Sequence, residues 1–179
     1  MQNSFDYTKK PTMKKQMNKS IELLNKAVGD ELAAIHQYMY FHFHCDDQGL
    51  DQLANLFKRT AVDEMKHIEK LAERVLFLKG DVDMKASVEV KQITAVKEML
   101  ELARQMEEDS AKEYNLWANE CAANADAVSK QLFESLIGEE EGHYDHFDKE
   151  LANIAKFGAN YLALQTMDRS KTVHTEGKE

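Results

Sequence analysis

A shortage of helix-breaking residues constrains this chain more than any other feature. Its 179 residues include one proline and seven glycines, where average usage would give roughly 21 of the two together. Sandwiches and α/β folds need many tight turns, which so few of these residues disfavour. Apolar residues make up 43% of the chain, which is enough to bury a core. The sequence therefore predicts an all-α protein made of a few long helices.

Four long segments show the spacing of apolar residues that is typical of helices. They are predicted at residues 17–45, 50–79, 95–123 and 126–157, and a short amphipathic segment follows at 160–167. Short turns join the first helix to the second and the third to the fourth, so each pair forms an antiparallel hairpin. The connection at 81–94 is long enough to run back along the bundle. We therefore expect a four-helix bundle with one long crossover connection and a short fifth helix.

The predicted core stripes contain residues that a core normally excludes. Each helix has a glutamate near the middle of its inward face, and two helices also have a histidine one turn later. These residues are Glu31, Glu64, His67, Glu107, Glu140 and His143. Because positions i and i+3 lie on one helix face, each Glu-x-x-His pair can point at one object.

The spacing of these residues repeats along the chain. Glu31 and Glu64 are separated by the same number of residues as Glu107 and Glu140. The three residues of the first hairpin each precede a counterpart in the second by the same number of residues, which we call the repeat interval. The pairs are Glu31 with Glu107, Glu64 with Glu140, and His67 with His143. The two hairpins are therefore predicted to form an internal repeat, in which each half supplies one Glu and then Glu-x-x-His.

The cost of burying charge indicates what these side chains surround. An ionised carboxylate buried alone costs many kcal/mol, and no Lys or Arg shares the stripes at this level. Two divalent cations would balance four carboxylates, and two neutral imidazoles would complete the coordination. Carboxylate and imidazole ligands without thiolate favour iron or manganese over a structural zinc site. We therefore predict a two-metal centre in the middle of the bundle.

This ligand pattern resembles that of the di-iron carboxylate proteins, and four stretches are similar to the bacterioferritins. They read GDELAAIHQY at residues 29–38, DEMKH at 63–67, RVLFLKG at 74–80 and EEEGH at 139–143. The resemblance covers about residues 17–167. His143 is the discriminating residue, because non-haem bacterial ferritins usually carry no histidine ligand in the fourth helix. The resemblance implies a ferritin-like fold.

The same resemblance implies iron storage and detoxification. The family oxidises Fe(II) to Fe(III) with O2 or peroxide, as a ferroxidase, and stores ferric mineral in a hollow protein shell. It implies two iron ions per subunit. Glu31 and His67 would bind one iron, and Glu107 and His143 would bind the other. Glu64 and Glu140 would bridge the two irons.

Tyr38 and Met65 are two further candidates of different kinds. Tyr38 lies two turns from Glu31 on the same helix face, so its hydroxyl could bond a carboxylate ligand, and a role in core packing is an equal alternative. The methionine at the position of Met65 is the axial ligand of haem in bacterioferritins, one from each of two subunits. Haem b at a subunit interface is therefore implied, although haem-free bacterial ferritins also carry this methionine.

Assembly into a homo-oligomer is expected from apolar residues that do not belong to the inner stripe. We assign them to a twofold dimer face on the first two helices, and they are Met39, Tyr40, Phe41, Phe43 and Met65. The short fifth segment resembles the one that packs about a fourfold axis in full-size ferritins. That resemblance implies a 24-subunit shell, with a 12-subunit shell as the alternative.

Charge and cysteine content bear on partners and location. The net charge of −9 argues against nucleic acid as a partner. Cys45 and Cys121 form no disulfide framework, and the polar, lysine-rich start contains no signal peptide or membrane-spanning run. These features predict a cytoplasmic protein that does not bind membranes. Flexible termini are expected at 1–16 and 168–179, flanking a di-iron domain at 17–167.

Two other functions compete with iron storage. One is a DNA-protecting shell similar to the mini-ferritins, with the lysines of the N-terminal arm as the contact to phosphate. The other is a different di-iron enzyme that reduces peroxide, such as a rubrerythrin. A rubrerythrin would need a four-cysteine module, and this chain has two isolated cysteines.

Overall fold

Four long helices make up most of the molecule. The computed structural model describes residues 13–158, 160–164 and 166, and this part of the chain contains helices without any strand. The helices are α1 (Met13–Asp47), α2 (Asp51–Phe77), α3 (Val96–Ala123) and α4 (Ala127–Phe157). Residues 160–164 and 166 add a short helical segment after α4. The prediction of an all-α fold is confirmed. Within the described residues, no helix combines the length and apolar character that crossing a membrane requires.

Glycines and a capping group end the helices close to the predicted places. Gly49 follows α1 with a φ of 74°, and Gly158 follows α4 with a φ of 59°, a left-handed conformation that glycine adopts at little cost. At the start of α4, the Asp126 carboxylate accepts a hydrogen bond from the Ser129 backbone N–H at 3.1 Å. This contact satisfies one of the free N–H groups of the first turn.

The start of α1 differs from the sequence-based expectation. The helix begins at Met13, so residues 13–16 of the flexible arm expected at 1–16 are helical. Residues 1–12 lie outside the described part of the chain, as does the tail expected at 168–179. All other ends of the four long helices lie within two residues of the predicted ones.

The topology is that of two antiparallel hairpins joined by a crossover. Helix α1 packs mainly along α2, and α3 mainly along α4. Residues 78–95 connect the hairpins without a helix. Because this segment spans the length of the bundle, α2 and α3 run parallel, as expected for the predicted arrangement with one long crossover.

Polar contacts hold the crossover against α1. The Gln37 side chain, which is 3% exposed, donates to the Lys91 carbonyl at 3.0 Å and accepts from the Lys91 N–H at 2.8 Å. The Ser87 N–H donates to the Gly29 carbonyl at 2.9 Å. A Cβ on Gly29 would lie only 3.1 Å from the Lys85 carbonyl oxygen, so glycine permits the close approach of the two backbones.

The core is divided into two apolar clusters, one at each end of the bundle. We name them the Phe57 cluster and the Phe133 cluster after their central aromatic residues. The Phe57 cluster includes Tyr38, Phe41, Cys45, Leu53, Phe57, Met99, Leu100 and Phe147. The Phe133 cluster includes Leu23, Leu24, Leu71, Val75, Tyr114, Trp117, Cys121, Phe133 and Leu136. Between them lies the level of the bundle that holds the buried glutamates.

A substitution in the turn between α3 and α4 tests the backbone strain at that point. Ala125 has a φ of 60°, which costs a non-glycine residue roughly 1–2 kcal/mol. Gly49, its counterpart in the turn of the first hairpin, has a similar φ. We expect Ala125→Gly to raise the free energy of unfolding by up to about 1 kcal/mol, measured by urea denaturation.

The matched control is Ala122→Gly, in the exposed last turn of α3. There the φ is helical, so glycine should lower the free energy of unfolding by about 0.5–1 kcal/mol. A decrease in both variants would contradict the assignment of strain to Ala125.

Candidate metal centre

Six ionisable side chains meet in the middle of the bundle, between the two apolar clusters. They come from all four helices, and none is more than 8% exposed. They are Glu31 on α1, Glu64 and His67 on α2, Glu107 on α3, and Glu140 and His143 on α4. The structure therefore brings together every residue that the sequence predicted as a metal ligand.

These side chains form two overlapping groups. In each group, one potential ligand atom from every member lies within 4.8 Å of the others. The first group consists of Glu31, Glu64, His67 and Glu140, and the second of Glu64, Glu107, Glu140 and His143. Glu64 and Glu140 belong to both groups, and this is the arrangement that two bridging carboxylates require.

The imidazoles face the centre through the same ring atom. Nδ1 of His67 lies 2.8 Å from a carboxylate oxygen of Glu64, 3.1 Å from Glu140 and 3.2 Å from Glu31. Nδ1 of His143 lies 3.2 Å from Glu64 and 3.6 Å from Glu140. Each histidine therefore directs one nitrogen at the glutamates and leaves its Nε2 facing away from them.

A carboxylate lies beside each outward Nε2. Nε2 of His67 is 3.1 Å from Glu139, and a Glu139 oxygen accepts from Lys70 at 2.7 Å. Nε2 of His143 is 3.8 Å from Asp63, outside hydrogen-bond distance. Asp63 and Glu139 are counterparts in the repeat, each directly before a shared glutamate. Such outer carboxylates fix the ring orientation and tautomer of ligating histidines, and the Glu139 contact is the tighter one.

Two tyrosines form hydrogen bonds with Glu31 and Glu107, the two glutamates that each belong to only one ligand group. The Tyr38 hydroxyl donates to Glu107, and the Tyr114 hydroxyl donates to Glu31 at 2.5 Å. Tyr38 thus bonds a carboxylate, as its position suggested, but that carboxylate belongs to α3 rather than to its own helix. Sequence reasoning missed Tyr114, although its position one repeat interval after Tyr38 was an available signal.

Burial shifts the proton affinities of the cluster. Desolvation raises the pKa values of Glu31 and Glu107 well above their usual range, and the charge of Glu64 raises them further. Desolvation lowers the pKa of His143, but the carboxylates of Glu107, Glu140 and Glu64 outweigh it and raise that pKa to about 12. Without metal, protons therefore occupy the centre and reduce its charge.

Several central atoms approach one another without making hydrogen bonds. Both carboxylate oxygens of Glu64, one oxygen of Glu140, and Nδ1 of His143 are buried and lack a hydrogen-bond partner. A buried polar atom without a partner costs free energy, and two divalent cations, one in each ligand group, would satisfy these atoms. The unsatisfied atoms and the oxygen-rich donor set fit iron or manganese.

Met65 lies apart from this centre. It follows Glu64 on α2, and its side chain is 53% exposed on the outer surface of the bundle. Phe43 is also exposed, at 62%. The assignment of Phe41 to the same outer face is wrong. Phe41 is fully buried in the Phe57 cluster, because it follows Tyr38 by three residues and lies on the inward stripe.

Comparisons with known proteins agree with this architecture. The protein-family model of the ferritin-like domain matches residues 21–157 of this chain. The bacterioferritin of Desulfovibrio desulfuricans is 37% identical over 145 residues, which span 81% of this chain and 81% of that protein. The bacterioferritin of Rhodobacter capsulatus is 36% identical over 147 residues, which span 82% of this chain and 91% of the relative.

The likeness extends to three dimensions. An X-ray structure of the D. desulfuricans bacterioferritin, whose diiron site was reduced in solution and allowed to reoxidise before crystallisation, aligns with a TM-score of 0.85. The two chains are 34% identical in this alignment, which covers 87% of the present chain and 91% of the other. With the sequence, the fold and the buried ligand groups in agreement, the chain belongs to the bacterioferritins of the ferritin-like family.

Proposed function

We propose that this protein stores and detoxifies iron as a di-iron ferroxidase. In this function, Fe(II) is oxidised to Fe(III) by dioxygen or peroxide, and ferric mineral is deposited in a hollow protein shell. The observation that carries the proposal is the pair of buried ligand groups that share Glu64 and Glu140. The diiron site of the D. desulfuricans relative supports it.

Each half of the internal repeat would bind one iron. We assign Glu31 and His67 to one iron, and Glu107 and His143 to the other. The two shared glutamates would bridge them. The support for this assignment is geometric, since each terminal glutamate and its histidine belong to the same ligand group. Two ferrous ions held side by side would each give one electron to the same oxidant molecule.

The surrounding side chains would prepare the centre for these ions. The hydroxyls of Tyr38 and Tyr114 fix the orientation of the two terminal carboxylates, so little side-chain entropy would be lost on binding. Glu139 holds the His67 ring from behind. The Phe57 and Phe133 clusters close the bundle above and below the centre. The polar groups would orient the ligands of the substrate ions, and the apolar clusters would limit the access of water.

We also propose that the protein assembles into a shell of 24 subunits. Several large apolar side chains are exposed on the single chain, including Phe43, Met65, Leu76 and Phe77 on the first hairpin. Exposed apolar surface of this kind favours burial against another subunit. Leu164, in the short helical segment after α4, is 62% exposed and would be covered in the same way.

Haem at a subunit interface is a separate proposal that rests on Met65. The thioether is exposed on α2 and lies outside the ligand groups of the metal centre, so it is free to serve as an axial ligand between two subunits. Haem would supply an electron-transfer group at that interface. A visible absorption spectrum of the purified protein tests the proposal directly.

The ligand assignment makes a direct kinetic prediction. Glu31→Ala and His143→Ala should each abolish the fast phase of Fe(II) oxidation, because each removes one ligand and two neighbouring ions are needed for the paired electron transfer. Stopped-flow absorbance at two ferrous ions per subunit measures this phase.

Glu141→Ala is the matched control, since this exposed glutamate lies next to Glu140 on the outer side of α4. It should keep the fast phase. An unchanged fast phase in both ligand variants would refute the assignment, provided that circular dichroism shows the helical fold in all three.

Metal binding should stabilise the fold, and more so at higher pH. The pKa of His143 rises from 6.5 to about 12 on folding, so its stabilising contribution is complete below the lower value and is lost progressively as the pH rises towards the upper one. The raised pKa values of Glu31 and Glu107 act in the same direction. A bound metal ion would replace these protons, so the fold would no longer lose this stability as the pH rises.

Melting temperatures with and without Zn(II), a redox-silent substitute, check this expectation below and above the ordinary pKa of histidine. The increase caused by Zn(II) should be larger at the higher pH and should be smaller in Glu31→Ala, which leaves only the second ligand group complete. Equal melting temperatures of the unchanged protein with and without saturating Zn(II) would contradict it.

The assembled mass distinguishes the two shells. Each subunit has a mass of 20.6 kDa, and a shell of 24 subunits has twice the mass of a shell of 12. We expect mass photometry of the purified protein to find the larger species. A single population at half that mass would overturn the proposal of a 24-subunit shell.

A further inference from the structure

A cavity of about 450 Å³ lies between α3 and α4 and reaches the buried carboxylate of Glu107. Its other lining residues are Glu108, Ala111, Lys112, Asn115, Glu141 and Tyr144. One oxygen of Glu107 accepts a hydrogen bond from Tyr38, and the other lies 3.5 Å from Nδ1 of His143. The cavity therefore ends at the second ligand group of the metal centre.

The internal repeat relates this cavity to an apolar face in the other half. One repeat interval earlier, each of the six residues has a counterpart on the first hairpin, and all of these except one histidine are apolar. The counterparts are Leu32, Ile35, His36, Met39, Met65 and Ile68. Ile35, the counterpart of Ala111, follows Glu31 by one turn and packs against the Phe133 cluster. The small side chain of Ala111 leaves the corresponding space beside Glu107 open.

The two faces also differ in what covers them. Met65 is exposed on the apolar face, for which we propose contact with another subunit. On the α3–α4 side, Lys112, Asn115 and Glu141 are exposed around the cavity. Lysine and glutamate are depleted in the interfaces between proteins. The approach to the second ligand group is therefore the one that favours contact with solvent.

The character of the cavity suits an uncharged reactant. The Lys112 ammonium lies 2.7 Å from a Glu108 carboxylate oxygen, so these two charges offset each other and leave the exposed Glu141 at the rim. The methyl group of Ala111 and the ring of Tyr144 contribute apolar lining. A ferrous ion would lose hydration beside such groups at a high cost, whereas dioxygen and hydrogen peroxide carry no charge.

We propose that dioxygen or peroxide reaches the metal centre through this cavity, and that the small side chain of Ala111 keeps the path open. The proposal rests on the proposed ferroxidase function and deepens it, because it names the side from which the oxidant approaches. The six candidate ligands are at most 8% exposed, so an oxidant needs an opening between the side chains. It would first meet the ion bound by Glu107 and His143.

A reversible block of the cavity tests the proposal. Ala111→Cys places a thiol in the lining, whereas the native Cys45 and Cys121 are buried and should not react with a bulky, charged methanethiosulfonate. The variant is loaded with two ferrous ions per subunit without oxygen, labelled, and then mixed with dioxygen or peroxide in a stopped-flow instrument. The measured quantity is the slope of the oxidation rate against the oxidant concentration.

We expect the label on Ala111→Cys to reduce this slope about tenfold or more, and its removal by a thiol reductant to restore the slope. Ala122→Cys with the same label is the matched control, because Ala122 is exposed on α3 and does not line the cavity. It should keep the slope. Because the label is added to folded, iron-loaded protein, neither misfolding nor slow entry of iron can produce the expected result.

An unchanged slope in labelled Ala111→Cys would overturn the proposal, and so would an equal reduction in labelled Ala122→Cys. A second measurement follows the uptake of Co(II) by metal-free Ala111→Cys through its visible absorbance, with and without the label. We expect equal uptake rates, and a slowing as large as that of oxidation would identify a path for metal ions and overturn the proposal. Absence of iron oxidation in the unlabelled variant and in the unchanged protein would instead contradict the proposed ferroxidase.

Discussion

Four glutamates buried at one level of a helical bundle determine the rest of this structure. Their desolvation raises the pKa values of Glu31 and Glu107, and oxygens of Glu64 and Glu140 lie buried without hydrogen-bond partners. Such a layer is unfavourable by itself, so the apolar clusters on either side must offset its cost. Two divalent cations would turn this unfavourable layer into a contribution to stability.

The internal repeat explains how one chain can surround two metal ions with matching side chains. Each hairpin contributes the same three candidate ligands, and the tyrosine of each half bonds the terminal carboxylate of the other half, through Tyr38 to Glu107 and Tyr114 to Glu31. These crossed hydrogen bonds connect the two hairpins at the level of the centre. Since neither hairpin can complete a ligand group alone, the ligand groups form only when both hairpins are packed together.

The departures from the repeat indicate where the two halves differ in role. Glu139 lies within hydrogen-bond distance of His67, whereas Asp63 is too far from His143, so one histidine is held more tightly than the other. Trp117 also has no counterpart of its own kind, because Phe41 lies one repeat interval earlier in the other half. A centre with symmetric ligands is therefore set in asymmetric surroundings.

Much of the fold and the ligand set is predictable because both depend on local sequence. Helix periodicity and chain breakers locate the helices, and the constant repeat interval identifies the two halves without any knowledge of packing. Contacts between helices are harder to predict. The partner of Tyr114, Glu31, lies two helices away, so the sequence alone indicates only a core position for this tyrosine. The contact between Glu139 and His67 cannot be predicted from the sequence for the same reason, since it joins α4 to α2. Sequence reasoning places Phe41 on the outer face because it does not extend the inward stripe of α1 beyond Tyr38 to Cys45. The number of subunits cannot be predicted from one chain, because it depends on surfaces of several chains.

Anomalous X-ray diffraction from crystals of the Zn(II)-loaded protein tests the central claim most directly. Data collected on both sides of the zinc absorption edge locate the ions independently of the protein atoms. The account predicts two neighbouring peaks in each subunit, one between Glu31 and His67 and the other between Glu107 and His143, with the two shared glutamates between them. A centre with no zinc peak, or with a single peak that leaves one ligand group empty at saturating Zn(II), would contradict it.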